Sequence, residues 1–123
     1  MCRLGLIKNK KLLLKFRNGL KWHVDSTHGG TGIISDVWLS KPYDFLLKNN
    51  PKTVIDLGAH IGSFSIRAHY LNPDSKIYSF EASPDNFKRL QLNINANNIK
   101  NIYAQNIGVA KNKSKLIFYL SRK

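Results

Sequence analysis

The sequence of 123 residues contains a single cysteine, Cys2. One thiol cannot form a disulfide within the chain, and it cannot supply a cysteine-rich metal site. The sequence therefore predicts no disulfide framework and no bound metal. A chain of this kind is compatible with a reducing compartment such as the cytoplasm.

Long hydrophobic runs are missing as well. Near its start the chain has only three consecutive leucines, at positions 12–14, before Lys15. A signal peptide needs an apolar core of about 7–15 residues, and a membrane-spanning helix needs about 20. We therefore expect no export signal and no membrane span, and we predict a cytoplasmic protein.

Acidic residues are scarce, since 7 Asp and Glu stand against 20 Lys and Arg and give a formal net charge of +13. Such an excess is typical of proteins that bind nucleic acid or acidic membranes. The alternative is a lysine-rich solvated surface. We favour this alternative because the lysines are spread along the chain, with denser groups only at 8–11 and 111–115. A nucleic-acid partner remains the second interpretation.

A phosphate-binding loop is also lacking. Residues 26–32 contain three glycines, but the Gly-Lys-Ser/Thr of a P-loop is not among them. The stretch is therefore predicted to be a flexible connector. Before it, residues 11–17 and 20–25 flank Asn18-Gly19, which predicts a β-hairpin with a type I′ turn. The alternating pattern of the second arm places Leu20, Trp22 and Val24 on one face, so the hairpin is expected to pack on the rest of the domain or to form a lid.

Residues 53–62 are the most informative stretch. Residues 53–57 are mostly β-branched or aliphatic, which predicts a strand buried on both faces. Gly58 and Gly62 then bracket a tight turn, and apolar residues at 61, 64, 68 and 71 predict a helix that packs on the sheet. Such a junction brings a helix N-terminus to the carboxyl end of a strand, where open α/β sheets bind nucleotide-like ligands.

The ligand is not predicted to be a dinucleotide. A dinucleotide fingerprint needs glycine at the first, third and sixth positions of the turn. Here these positions are Gly58, His60 and Ser63. A carboxylate at the strand tip, Asp56, would repel a pyrophosphate but would attract an ammonium group. S-adenosylmethionine carries an ammonium and a sulfonium, and is therefore the expected cofactor.

A second strand, residues 76–81, ends in Glu81, 19 residues after Gly62. A carboxylate at this place can accept hydrogen bonds from the two hydroxyls of a ribose. Ser83 and Pro84 then predict the N-cap and first position of a helix, with Phe87, Leu90 and Ile94 on its inner face. Lys88, Arg89 and Gln91 are expected to point outward. Residues 101–106 and 114–120 are predicted as further strands.

With these segments in view, residues 36–120 resemble the FkbM-type methyltransferases, which are class I enzymes that use S-adenosylmethionine. The resemblance is carried by residues 54–62, by 77–84 with Asn86 and Leu90, and by 106–110. His60 stands where the family often has Asn, and Ala82 stands where it often has Pro.

The resemblance implies an α/β fold with a Rossmann-like class I methyltransferase sheet. It also implies O-methylation of a hydroxyl on a sugar or secondary metabolite. The cofactor-binding roles that it implies fall on Asp56, Gly58, Ala59, His60, Gly62, Glu81 and Asn106. Asp36 and Tyr43 match an acidic residue and a tyrosine that face the methionine end of the cofactor; packing of Trp38, Leu39 and Phe45 is the alternative explanation of that segment. No catalytic residue is assigned.

Residues 1–50 are predicted to form an amino-terminal hairpin and short helices, and residues 51–123 a partial cofactor-binding domain. The partial domain comprises the first three strand–helix units of the family sheet. The later strands of the family have no counterpart in the sequence, so we expect an amino-terminal part of a longer enzyme or a truncated product. Its first core strand would lie at an exposed sheet edge, which favours self-association. A small-molecule or glycan acceptor is the expected substrate.

Overall fold

The computed structural model describes residues 11–25, 30–113 and 115 of the chain. Apart from Lys115, the strand predicted at 114–120 lies outside these residues, as do Cys2 and positions 26–29 of the predicted connector. In chain order the elements are β1 Lys11–Lys15, β2 Lys21–Asp25, α1 Gly30–Ser35, a π-helical segment Asp36–Ser40, α2 Asp44–Leu47, β3 Thr53–Leu57, α3 Ser63–Leu71, β4 Lys76–Phe80, α4 Pro84–Ala96 and β5 Ile102–Gln105. None of the helices in the described part is long and apolar enough to cross a membrane.

The core of the fold is a parallel sheet in the order β3-β4-β5, with α3 and α4 between its successive strands. Val54 pairs with Ile77, which pairs in turn with Ile102, and all three side chains are buried. The predicted α/β fold with a parallel Rossmann-like sheet is thereby confirmed. In the described sheet β3 is an edge strand, as expected.

The prediction that β3 is buried on both faces is wrong. Val54 and Asp56 are buried, whereas Ile55 and Leu57 are 62% and 61% exposed. The apolar run predicted a covered strand, but α3 packs only against the face that carries Asp56, through Ser65. On the opposite face of the described sheet, Tyr78 and Tyr103 stack with ring centroids 5.3 Å apart, and Tyr103 is exposed.

The β-hairpin forms as predicted, with Lys11 opposite Asp25 and Lys15 opposite Lys21. Its turn is not type I′, because only Gly19 has a positive φ, of 87°. The Gly19 N–H donates to the Phe16 carbonyl at 3.0 Å. This geometry is a type I turn followed by a glycine in the left-handed region.

The hairpin packs on the domain through β2. Trp22 and Val24 are buried. Asn93 of α4 and Asn97, the C-cap residue that follows this helix, bind the outer edge of β2. The Asn93 side chain accepts from the His23 N–H at 2.5 Å and donates to the His23 carbonyl at 3.3 Å. The Asn97 side chain pairs with the N–H and carbonyl of Lys21 at 2.8 and 2.7 Å. The two side-chain amides thus satisfy the backbone N–H and carbonyl groups of Lys21 and His23, as a neighbouring strand would do.

The segment between β2 and β3 is more helical than predicted. Gly30, Thr31 and Gly32 belong to α1 instead of a flexible connector. The predicted packing of this segment holds for Trp38, which is buried, but not for Leu39 and Phe45, which are 76% and 65% exposed.

An ion pair fastens α3 to α2. The Arg67 guanidinium donates to both carboxylate oxygens of Asp44, at 2.7 and 2.6 Å, and lies 5.0 Å from the centroid of the Trp38 ring. The hydrogen bonds from Arg67 hold the pKa of Asp44 below its ordinary value. A planar guanidinium suits this double contact because it can bind a carboxylate and stack on an aromatic ring together.

Helix α4 begins as predicted, with Ser83 as N-cap and Pro84 as the first residue. Leu90 and Ile94 are buried on its inner face. The outward position expected for Arg89 is wrong, because its guanidinium is half-buried and lies 3.1 Å from Asp25 of β2. The sequence separation of these two residues concealed the ion pair from pattern analysis.

Candidate functional site

The turn between β3 and α3 contains three residues with positive φ: Gly58 at 82°, His60 at 51° and Gly62 at 93°. Histidine, like asparagine, is among the residues that tolerate the left-handed region. The requirement for positive φ therefore explains why His60 can stand where the resembling family often has Asn. At position 62 a glycine is also required by the available space, because a Cβ there would lie 2.6 Å from Leu90 Cδ1.

Most backbone N–H groups of this turn already have acceptors. The Gly58 and Ala59 N–H groups both donate to the Phe80 carbonyl at 2.9 Å, and the Gly62 N–H donates to the Ala59 carbonyl at 2.8 Å. A phosphate-binding loop needs such groups free and converging on the anion. The turn is therefore not built as a phosphate cradle, in agreement with the failed dinucleotide fingerprint.

The Glu81 carboxylate is held at the end of β4 by two backbone donors. Its two oxygens accept from the His60 N–H and the Ser83 N–H, each at 2.8 Å, and the residue is 7% exposed. Each carboxylate oxygen has two lone-pair positions. One acceptor position per oxygen therefore remains for a ligand, while the orientation of the carboxylate is fixed.

Asp56 lies on the same face of the sheet as Glu81. It pairs with Ser79 in the β3–β4 register, and Glu81 follows Ser79 by two residues, which returns to the same face. Burial raises the pKa of Asp56, hydrogen bonds from Ser65 lower it, and the negative charge of Glu81 raises it further. Both carboxylates therefore lie on one face of the sheet at neighbouring strand ends, and their cofactor-binding roles stay predictions.

Asn106 supports the backbone around Glu81. Its side-chain amide donates to the carbonyls of Glu81 and Ala82, at 2.8 and 3.2 Å, across the gap between β5 and β4. Asn106 is exposed, and these bonds place it beside the end of β4. Its predicted role near the adenine of the cofactor stays a prediction.

The remaining predicted residues lie either in the glycine turn, as Ala59 and His60 do, or in the segment between β2 and β3, as Asp36 and Tyr43 do. Ala59 is buried, and the half-buried His60 ring has a pKa lowered mainly by burial. Asp36 is exposed on the π-helical segment, and no described contact joins it to the turn. The Tyr43 ring packs edge-on against Phe64 of α3, with centroids 5.3 Å apart.

Two site residues were missed by the sequence interpretation. Ser65 and Ser79 are both fully buried, and the Ser65 hydroxyl contacts Asp56. A signal for both was present: a small polar residue occupied a position that the helix or strand period assigned to the buried face.

The fold and the site together define a Rossmann-like α/β domain whose neighbouring strand tips carry two buried carboxylates beside a glycine turn. Among the described residues, no group of three His, Cys, Asp or Glu side chains could hold a metal ion.

Comparison with known proteins places this domain near methyltransferases. The chain is 26% identical over 84 residues to Methyltransferase 1 of Beauveria bassiana (strain ARSEF 2860), a match that covers 68% of this chain and 34% of the relative. The chain thus spans about a third of the curated relative that it matches. No family model matches the chain, and the FkbM assignment stays a prediction.

Two solved structures from Pyrococcus horikoshii share the fold. PH0793, described as a candidate transferase, aligns with a TM-score of 0.60 and 22% identity over 80% of this chain and 36% of its own. TYW2, solved in complex with MeSAdo, aligns with a TM-score of 0.54 and 22% identity over 76% of this chain and 34% of its own. The fold is therefore the Rossmann-like fold of these neighbours, and the similarity in sequence supports kinship with methyltransferases.

Proposed function

We propose that this chain carries the S-adenosylmethionine-binding part of an FkbM-type methyltransferase. The observation that carries the proposal is the Glu81 carboxylate, which two backbone N–H groups hold in place while an acceptor position on each oxygen stays free. The similarity to Methyltransferase 1 and the fold shared with TYW2, which was solved with MeSAdo, support the methyltransferase part of this proposal.

The residues present fit this cofactor. Glu81 would accept hydrogen bonds from the two ribose hydroxyls, and Asp56 would face the positively charged amino-acid end. Nothing lies within 4 Å of the position that a Cβ on Gly58 would take, so a ligand can approach the backbone there. The turn N–H groups are occupied, which suits a ligand without phosphates.

The proposed reaction is methyl transfer to a hydroxyl on a sugar or secondary metabolite. S-adenosylmethionine, when bound, supplies a methyl group on a sulfonium that leaves readily when an acceptor oxygen attacks. The residues of this chain would bind and orient the donor, since alignment of the reacting atoms supplies much of the rate. A general base must also take the hydroxyl proton, and no described residue is assigned that role.

Two further parts of the proposal concern organisation. Residues 1–50 would brace the cofactor-binding part, residues 51–123, through the contact between β2 and α4. The open edge of β3 and the exposed Ile55 and Leu57 beside it would support self-association. A cytoplasmic location is a separate part of the proposal.

The test is calorimetric titration with S-adenosylhomocysteine of the wild-type chain and of Glu81→Gln. The substitution keeps the shape, removes the charge that strengthens hydrogen bonds to ribose and replaces one acceptor oxygen with an NH2 donor, so affinity is expected to fall about ten- to hundredfold. Asp74→Asn is the matched control, because Asp74 is an exposed carboxylate before the amino end of β4. Thermal melts of each variant would separate lost contacts from lost folding. Absence of binding by the wild-type chain would refute the proposal.

The nucleic-acid interpretation predicts a different result. The rings of Trp22 and Trp38 pack edge-on inside the core with their centroids 6.0 Å apart, so neither ring is available for stacking on bases. We therefore place this function second. Tight binding of RNA that weakens steeply with added salt, with no response to S-adenosylhomocysteine, would reverse the order.

A further inference from the structure

Two buried hydroxyl groups stand behind the Asp56 carboxylate. Ser65 Oγ lies 2.5 Å from Asp56 Oδ2 and 2.6 Å from Ser79 Oγ, and both serines are completely buried. The three residues come from three elements, β3, α3 and β4. A polar group in such a position is unfavourable unless it is hydrogen-bonded, so the chain of contacts satisfies what would otherwise be buried polar groups.

The chemistry of the groups fixes the direction of the hydrogen bonds. An ionised carboxylate can only accept, so the Ser65 hydroxyl donates to Asp56. The Ser65 oxygen is then free to accept, and the Ser79 hydroxyl donates to it. Both hydroxyl protons therefore point toward Asp56, that of Ser65 directly and that of Ser79 by way of the Ser65 oxygen. Such an arrangement stabilises the charged carboxylate, because a charged acceptor strengthens the bonds and polarises the hydroxyls in series.

This support opposes two unfavourable effects. Burial raises the pKa of Asp56, and the negative charge of Glu81 at the end of β4 acts in the same direction. Helix α3, which packs on the same side, supplies Ser65, while its buried cation Arg67 pairs with Asp44 of α2. Among the described groups facing Asp56, the Ser65 hydroxyl and the Ser65 backbone N–H both lower its pKa and so favour the ionised form, and the Ser79 hydroxyl donates to the Ser65 hydroxyl.

We propose that Ser65 and Ser79 are positioning residues that keep the Asp56 carboxylate ionised and oriented toward the cationic end of the bound cofactor. This inference rests on the proposed function, and it adds residues to the site that the sequence interpretation did not include. Ser65 acts directly on Asp56, whereas Ser79 acts through Ser65.

The first measurement is independent of any ligand. A carbon-13 NMR titration of the Asp56 carboxyl group in the ligand-free protein is expected to give a midpoint about one pH unit higher in Ser65→Ala than in wild type, because a hydrogen bond to the charged form is lost. Ser79→Ala is expected to give a smaller shift in the same direction, and it serves if Ser65→Ala does not fold. Equal midpoints in wild type and variants would overturn the positioning role.

The second measurement is the affinity for S-adenosylhomocysteine from about pH 5 to about pH 8. In Ser65→Ala the loss of affinity on acidification is expected to begin about one pH unit higher than in wild type, with affinity within about threefold of wild type at the alkaline end. Ser63→Ala is the matched control, since Ser63 is a buried serine of the same helix whose hydroxyl donates to the Ile33 carbonyl.

The outcomes separate the two proposals. A uniform loss of affinity at every pH, with no change in midpoint, would mean that Ser65 only supports the fold and would overturn the inference. If the wild-type protein does not bind S-adenosylhomocysteine, the proposed function fails, and the role toward the cofactor fails with it even if the NMR midpoint moves. A midpoint that moves in both measurements, and not in Ser63→Ala, supports the inference.

Discussion

Substitution of Gly62 by alanine tests the geometry that joins the glycine turn to α4. Gly62 has φ 93° and ψ 17°, a left-handed conformation that disfavours any residue with a Cβ. The added Cβ would also lie 2.6 Å from Leu90 Cδ1. Because Leu90 is completely buried, its side chain can yield only by repacking the core around it.

The expected destabilisation has two parts. The left-handed conformation costs an alanine about 1–2 kcal/mol, and overpacking of a buried contact costs about 1–3 kcal/mol. The free energy of unfolding should therefore fall by about 2–5 kcal/mol in Gly62→Ala. For a domain of this size the melting temperature should fall by roughly 4 °C for each kcal/mol.

The assay is equilibrium unfolding in urea, followed by circular dichroism, with Gly19→Ala as the matched control. Gly19 has a similar φ of 87°, but nothing lies within 4 Å of the position of its added Cβ. Gly19→Ala should therefore show the conformational cost alone, of about 1–2 kcal/mol. The difference between the two variants measures the contact with Leu90.

A double variant isolates the contact itself. Leu90→Ala alone should cost about 2–5 kcal/mol because it leaves a cavity. Combined with Gly62→Ala it should cost less than the sum of the two single changes by at least about 1 kcal/mol, since the clash is removed. Equal stabilities of Gly62→Ala and Gly19→Ala, together with additive effects in the double variant, would refute the argument.

Three other substitutions test polar side chains of the fold. Asn93→Ala should lower the free energy of unfolding by about 2–3 kcal/mol, because Asn93 is completely buried and bonds to backbone groups of His23 and Ile61. Asn97→Ala, at the more accessible position, should lower it by only about 1 kcal/mol, and urea unfolding measures both changes. Asp56→Asn should make the protein more stable near neutral pH. The pKa of Asp56 in the folded state lies above the ordinary 3.8, so the stability of the wild type falls as the pH rises from about 3.8 through the raised pKa. Unfolding measured at several pH values should show that this slope is lost in the variant.

Local patterns predicted the parts of the fold that depend on neighbouring residues. The alternating second arm of the hairpin places Trp22 and Val24 inside, and Ser83 with Pro84 begins α4 as expected. The end of the second strand next to Glu81 was predicted from its spacing after Gly62, because the length of a strand–helix–strand unit limits where the second strand can end. These features are encoded within short stretches of sequence.

The errors concern partners that are distant along the chain. The hydrophobicity of Ile55 predicted burial, but whether a sheet face is covered depends on elements elsewhere in the fold. Arg89 was expected to face solvent, yet Asp25, 64 positions earlier, binds it. The turn at Gly19 differed from type I′ because Asn18 keeps a negative φ and its side chain instead accepts from the Leu20 N–H at 3.2 Å.

The helix-facing side of the sheet changes from apolar to polar side chains toward the carboxyl ends of its strands. This change is the strongest structural argument for a site. At the amino end the three strands contribute a row of buried aliphatic side chains, Val54, Ile77 and Ile102. One step further toward the carboxyl end the paired row is Asp56, Ser79 and Ala104. Core packing alone would favour apolar residues in both rows, since each buried polar group needs a specific partner. The hydrogen bonds that satisfy Asp56 and Glu81 come from the turn, from α3 and from the start of α4, so three separate elements are organised around carboxylates that the fold itself does not require.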